Sequence, residues 1–113
     1  YSEKEVIDIG YDEVHLGDNA PNGSQLRPHI VFFGEAVPNI EKAIDIVSAA
    51  DIILIVGTSL NVYPAAGLYR YAPNGIPIYL IDPEDVAIAD PRITQIRQVA
   101  TKGMETFRRM LGQ

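Results

Sequence analysis

DIILIVGTSLNVYPAA, residues 51–66, decides how the rest of the chain is read. Residues 52–56 are five consecutive apolar side chains, four of them β-branched. Such a run predicts a strand buried on both faces, as in a parallel sheet. Gly57 ends the run, and Thr58 and Ser59 follow with two hydroxyls. Pro64 then suits the first turn of a short helix over residues 64–72. A turn that only reverses the chain has no need of two hydroxyls, so this one raises the question of a ligand.

Reading outward, the same alternation continues. Residues 29–33, His-Ile-Val-Phe-Phe, predict a strand ended by Gly34. Residues 38–50 predict a helix, with Ile40, Ala43, Ile44, Val47 and Ala50 on one face at helical spacing. Downstream, residues 76–81 predict a strand closed by Asp82 and Pro83, and 84–91 a loop. A short strand over 96–100 and a helix over 102–111, with Met104, Phe107 and Leu111 inward, complete the series. Strands alternating with helices over short connections imply βαβ crossovers and an α/β fold with a largely parallel sheet. Residues 1–26 differ, being rich in Asp, Glu, Gly and Asn with a turn cluster at 17–23. They predict a short β or irregular module.

Composition narrows the function. The chain has 113 residues, 47% of them hydrophobic, enough for one folded core. A net charge of −6 argues against a reader of nucleic-acid backbones, which needs a basic patch. No apolar run approaches the roughly 20 residues that cross a bilayer. With no cysteine there is no disulfide, thiolate nucleophile or thiolate zinc site, and a cytoplasmic setting is expected. The start lacks Met and any signal-like segment, so a piece of a longer chain is expected.

Two stretches carry chemistry. In the first, Gly57 allows a sharp turn and close ligand approach. Thr58 and Ser59 offer hydroxyls and N–H groups to phosphate or ribose, and Asp82 ends the next strand. An acid there binds a ribose diol in dinucleotide sites and repels a 2′-phosphate, which favours NAD over NADP. The G-x-G-x-x-G fingerprint is absent, and a strand-ending turn with Asp82 as a local cap fits equally. The second stretch is Arg27 to Glu35. Two adjacent aromatics on a strand point to opposite faces, one for core and one for a cleft, and a peptide can add to such an edge. The plainer reading is a core strand with Arg27 in a surface ion pair. His15 and His29 lie in no catalytic pattern, and Asp8, Asp12, Glu13 and Asp18 do not have calcium-loop spacing.

Taken together, Leu26-Arg27-Pro28-His29-Ile30-Val31-Phe32-Phe33-Gly34-Glu35 and Asp51 through Ala66 resemble two segments of the sirtuins, NAD-dependent protein lysine deacylases. The likeness runs from about Leu26 to Leu111. It implies a Rossmann-like NAD-binding domain in part over 27–113, preceded by a zinc-free remnant of the family's small module over 1–26. It implies that Gly57, Thr58, Ser59, Asp82 and Ala100 contact NAD, a co-substrate. Asp82 stands where the family usually has Asn. Val31 would accept a hydrogen bond from an acyl-lysine nitrogen, and Phe33 would pack on the lysine methylenes. Gly34, Glu35, Asn61, Val62 and Tyr63 would flank the backbone of an acyl-lysine peptide.

The departures shape the expectation. The family's four zinc cysteines are missing, so no zinc is expected on this chain. Its glycine-rich first turn and catalytic histidine find no counterpart. The resemblance therefore implies the C-terminal half of a deacylase, with no catalytic residue of its own, inactive alone and prone to self-association. In an intact protein it implies transfer of an acyl group to ADP-ribose with loss of nicotinamide. A binding module or scaffold for NAD or ADP-ribose stays open as the alternative, with neither nucleic acid nor membrane as partner.

Overall fold

The computed structural model describes residues 5–112. It divides into two compact units, Tyr1–Ala36 and Val37–Gln113. The segment 27–36 thus groups with the first unit, whereas the sequence places a boundary before Arg27.

In the second unit the elements run α1 (Ile40–Ser48), β1 (Ile53–Val56), a 3₁₀ helix (Ala65–Tyr71), β2 (Ile78–Ile81), β3 (Ile93–Ile96) and α2 (Ala100–Met110). The three strands form one parallel sheet in the order β1-β2-β3. Ile53 lies opposite Ile78, and Ile78 opposite Ile93, so Val56, Ile81 and Ile96 end the three strands in line.

α1 forms as its periodicity predicts. Ile40, Ala43, Ile44, Val47 and Ala50 are each half-buried, while Ile46 between them is exposed. β1 departs from expectation: its residues are half-buried or exposed, and β2 is the buried strand. The reason is position. β1 has one neighbouring strand among the described residues, and β2 has two. Ile78, Leu80 and Ile81 are the largest fully buried side chains. By the two-residue alternation of a strand, Tyr79 and Ile81 share one face and Ile78 and Leu80 the other.

α2 covers the first of these faces. Ile81, Ile96 and Phe107 form a buried cluster flanked by Leu54 and Tyr79. The Tyr79 and Phe107 rings meet edge to face at 5.0 Å between centroids. The expected inward trio is corrected here: Phe107 is buried, but Met104 and Leu111 are 37% and 39% exposed. Gly103, one turn before Phe107, holds the contact instead. A Cβ at Gly103 would stand 2.2 Å from Ile81 Cγ2, so the helix approaches the sheet as closely as a bare backbone allows.

The last strand is also shifted. β3 occupies 93–96, not 96–100, and Val99 is already the extended residue before α2. A side chain of β3 clamps the loop 84–91 that precedes it. Gln95 donates from Nε2 to the Val86 carbonyl (2.6 Å) and accepts the Val86 N–H at Oε1 (3.2 Å). Val86 is buried beneath this clamp.

The first unit is built differently. Asn19 and Gln25 form an isolated antiparallel bridge, flanked by Ala20 N–H to Ser24 O (2.7 Å) and Leu26 N–H to Asp18 O (2.8 Å). The turn cluster predicted at 17–23 is this small hairpin. Residues 29–33 are not a strand. Their polar backbone groups bond locally: Ile30 N–H to Pro28 O, and Phe32 N–H to a Glu35 carboxylate oxygen. Phe32 and Phe33 are both exposed, so neither is the core aromatic that alternation predicts.

Candidate functional site

The carboxyl ends of β1, β2 and β3 lie side by side, and open α/β sheets bind ligands outside that edge. Gly57 follows β1 there, Asp82 follows β2, and Arg97 follows β3. The ladder extends one residue past the strands: Gly57 N–H donates to Ile81 O (2.9 Å) and Asp82 N–H to Ile96 O (3.3 Å). Ser59 and Asp82 therefore share one end of the sheet. Gly57 has a φ of +67° with no atom within 4 Å of a would-be Cβ, so the chain turns there beside open space.

The turn chemistry is partly local. Thr58 Oγ1 accepts the Leu60 N–H (3.1 Å), and Leu60 is a non-glycine residue with positive φ (56°). Asp82 Oδ1 accepts the Glu84 N–H (2.9 Å), capping the loop. Each group keeps capacity for a ligand: Thr58 its O–H, Asp82 its other carboxylate oxygen. α2 begins at Ala100 beside the same edge. Its N-cap, Val99, offers no side-chain hydrogen bond, so first-turn N–H groups face outward with the positive end of the helix dipole. A turn with clearance, a carboxylate and an uncapped helix start suit a ribose and a diphosphate. These residues fit NAD.

Asn61, Val62 and Tyr63 follow in the same unit and are exposed. The Val62 carbonyl is committed to Ala66 N–H (2.9 Å). The Tyr63 hydroxyl accepts from Arg70 (3.4 Å). An apolar groove of about 420 Å³ runs along β1 between Val47, Leu60, Val62 and Leu68.

The other predicted contacts lie in the first unit. Residues 32–35 form a turn closed by Glu35 N–H to Phe32 O (3.0 Å), with Gly34 at φ +87° in its third position. A type II turn requires positive φ there. Phe33 stands at the apex, 94% exposed, and Val31 is 41% exposed. The Glu35 side chain serves the turn itself. It pairs with Arg27 through two 3.2 Å hydrogen bonds and accepts the Phe32 N–H (2.9 Å). The Arg27 hydrogen bond, then that of Phe32, holds its carboxyl below the usual range. Sequence reasoning places Arg27 in a surface ion pair but does not name Glu35 as its partner, nor does it find Gly103 or Gln95. A glycine inside a helix was the available signal for Gly103.

His15 is exposed beside Glu13 and Asp18, and His29 is exposed. Among the described residues no group of His, Cys, Asp or Glu is arranged to hold a metal ion, and no helix is long and apolar enough to cross a membrane.

Known proteins share this sequence and fold. A NAD-dependent protein deacylase of Bacteroides thetaiotaomicron is 54% identical over 88% of this chain and 43% of its own length. A Sir2 homologue solved as an S24A mutant with ADP-ribose superposes at a TM-score of 0.70, with 29% identity, over 89% of this chain and 44% of that one. Sir2Tm bound to a propionylated peptide superposes at 0.65, with 28% identity, over 88% and 43%. The chain thus spans less than half the length of these relatives. The Sir2 family profile matches residues 5–64, just over half of the sequence, and the chain belongs to the Sir2 family.

Proposed function

We propose that this chain supplies NAD- and acyl-lysine-binding surfaces to an NAD-dependent protein lysine deacylase. The observation that carries the reading is the meeting of Gly57, Asp82 and the start of α2 at one sheet edge in a Sir2-family chain. NAD, when bound, would supply the ADP-ribose that takes the acyl group as nicotinamide leaves, so the intact protein would be an acyl transferase. Gly57 gives clearance only, because its N–H is already donated to Ile81. Ser59 and the Thr58 O–H bind the phosphate and ribose portion. The Asp82 carboxylate accepts ribose hydroxyls, and the first turn of α2 at Ala100 lies against the nucleotide. Val31 and Phe33 receive the acyl-lysine side chain. Peptide-backbone contacts are assigned separately to Gly34 on the first unit and to the segment 61–63 on the second.

Both histidines lie exposed in the first unit, and we assign no catalytic base here. The isolated chain is expected to bind nucleotide without turnover and to self-associate through the unpaired edge of β1. A cytoplasmic location accords with NAD as a consumed co-substrate, and fractionation tests it. The deciding experiment measures nicotinamide release by the full-length protein with an acylated lysine peptide. Release that needs both NAD and the acyl group supports the reading. ADP-ribose binding without release favours a non-catalytic module, and neither sinks both.

A further inference from the structure

We infer that the Arg27–Glu35 pair is a positioning brace that fixes the backbone on both sides of Val31 and presents the Phe33 ring to an acylated lysine side chain. The inference rests on the deacylase reading; it gives Arg27 a role and moves Glu35 from flanking the peptide to holding the turn.

Among the described residues, four bonds converge on this pair. Arg27 Nη2 donates to the Ile30 carbonyl (2.7 Å), and the guanidinium makes two 3.2 Å bonds to the Glu35 carboxylate. Glu35 Oε2 in turn accepts the Phe32 N–H (2.9 Å). The residues before and after Val31 are therefore both tied to one ion pair. Among the described residues, Val31 itself makes no hydrogen bond through N–H or C=O. The arrangement leaves one open acceptor between two anchored neighbours.

The same pair separates the two aromatics. The Arg27 guanidinium carbon lies 5.0 Å from the Phe32 ring centroid, so that ring is engaged by a cation on its face. Phe33, at the apex of the turn, has no such cover. A two-bond Arg–carboxylate fork fixes orientation as well as distance, which a point charge does not. Exposed ion pairs contribute little to global stability. A pair with four bonds on one turn and no buried core beneath it acts on local geometry.

The test compares Arg27→Ala, Glu35→Ala, the double variant and Glu35→Gln in the full-length protein. Each single variant is expected to raise the KM for an acylated peptide by on the order of tenfold, as misplacement of a binding group does. The KM for NAD should move less than about twofold, and melting temperatures should shift little, since the pair is partly exposed, at 30% and 38%. The double variant should be no worse than either single one, because the groups act as a unit. Glu35→Gln keeps an acceptor for the Phe32 N–H and should fall between. Additive losses, or an unchanged peptide KM in a protein that turns over, overturn the brace and leave the deacylase reading intact. If wild type does not turn over, calorimetry with the acylated peptide reads the same variants. No binding by wild type overturns both.

Discussion

The two units reach order by opposite means. The second carries every fully buried hydrophobic residue of the described chain, from Ala66 to Phe107, and its shape follows from apolar packing. The first has no buried residue among those described and is held by hydrogen bonds between side chains and nearby backbone. Burial resists single losses of polar contacts but not losses of volume. A bonded turn tolerates the loss of an exposed ring but not of the group that closes it. The groups proposed to face nucleotide sit on the first kind of scaffold, and the turn proposed to receive acyl-lysine on the second.

Substitutions rank along this contrast. Ile81→Ala removes a fully buried side chain of the central strand and should cost about 2–5 kcal/mol in urea unfolding. Gly103→Ala should cost about 1–3 kcal/mol by overpacking against Ile81, although alanine favours helix by about 1 kcal/mol. A stabilised variant would show that α2 lifts from the sheet freely. In the first unit, Gly34→Ala places a side chain at positive φ, a strain of about 1–2 kcal/mol that should appear as faster amide exchange at Glu35. Phe33→Ala should change stability by less than about 0.5 kcal/mol while weakening the acylated peptide. A large stability loss there would break the contrast outright.

Acid probes the first unit more gently. The Glu35 carboxyl is held below its ordinary value of 4.5 by Arg27 and the Phe32 N–H. A lowered folded value means that its contribution is present above 4.5 and is lost as pH falls through the lowered value. Protection of the Phe32 amide should therefore persist at pH 5 and fade only below the usual carboxylate range. Fading well above pH 5 would show that Arg27 does not hold the carboxylate in solution.

What could be read in advance follows the same division. The buried face of α1 was legible residue by residue, because period and burial coincide there. The run 52–56 announced a strand but not its place at the sheet's margin, since burial depends on neighbours that one stretch does not name. The inward face of α2 was misread because its tightest contact is a glycine, which has no side chain to count. The segment 29–33 looks like a strand by composition, yet its backbone bonds stay within a few residues, and composition does not register that. At the sheet edge, Gly57, Ser59 and Asp82 were legible as a group from one βαβ unit. The link between Arg27 and Glu35 was not, because an ion pair across a turn leaves no periodic trace.

The Gln95 amide ties a loop to the sheet. It copies the donor and acceptor of a peptide group, and so answers both backbone groups of Val86 from a side chain of β3. The segment that leaves Asp82 is thereby anchored to the neighbouring strand. Loss of that one amide would free the chain just past the edge acid without touching the sheet's own ladder.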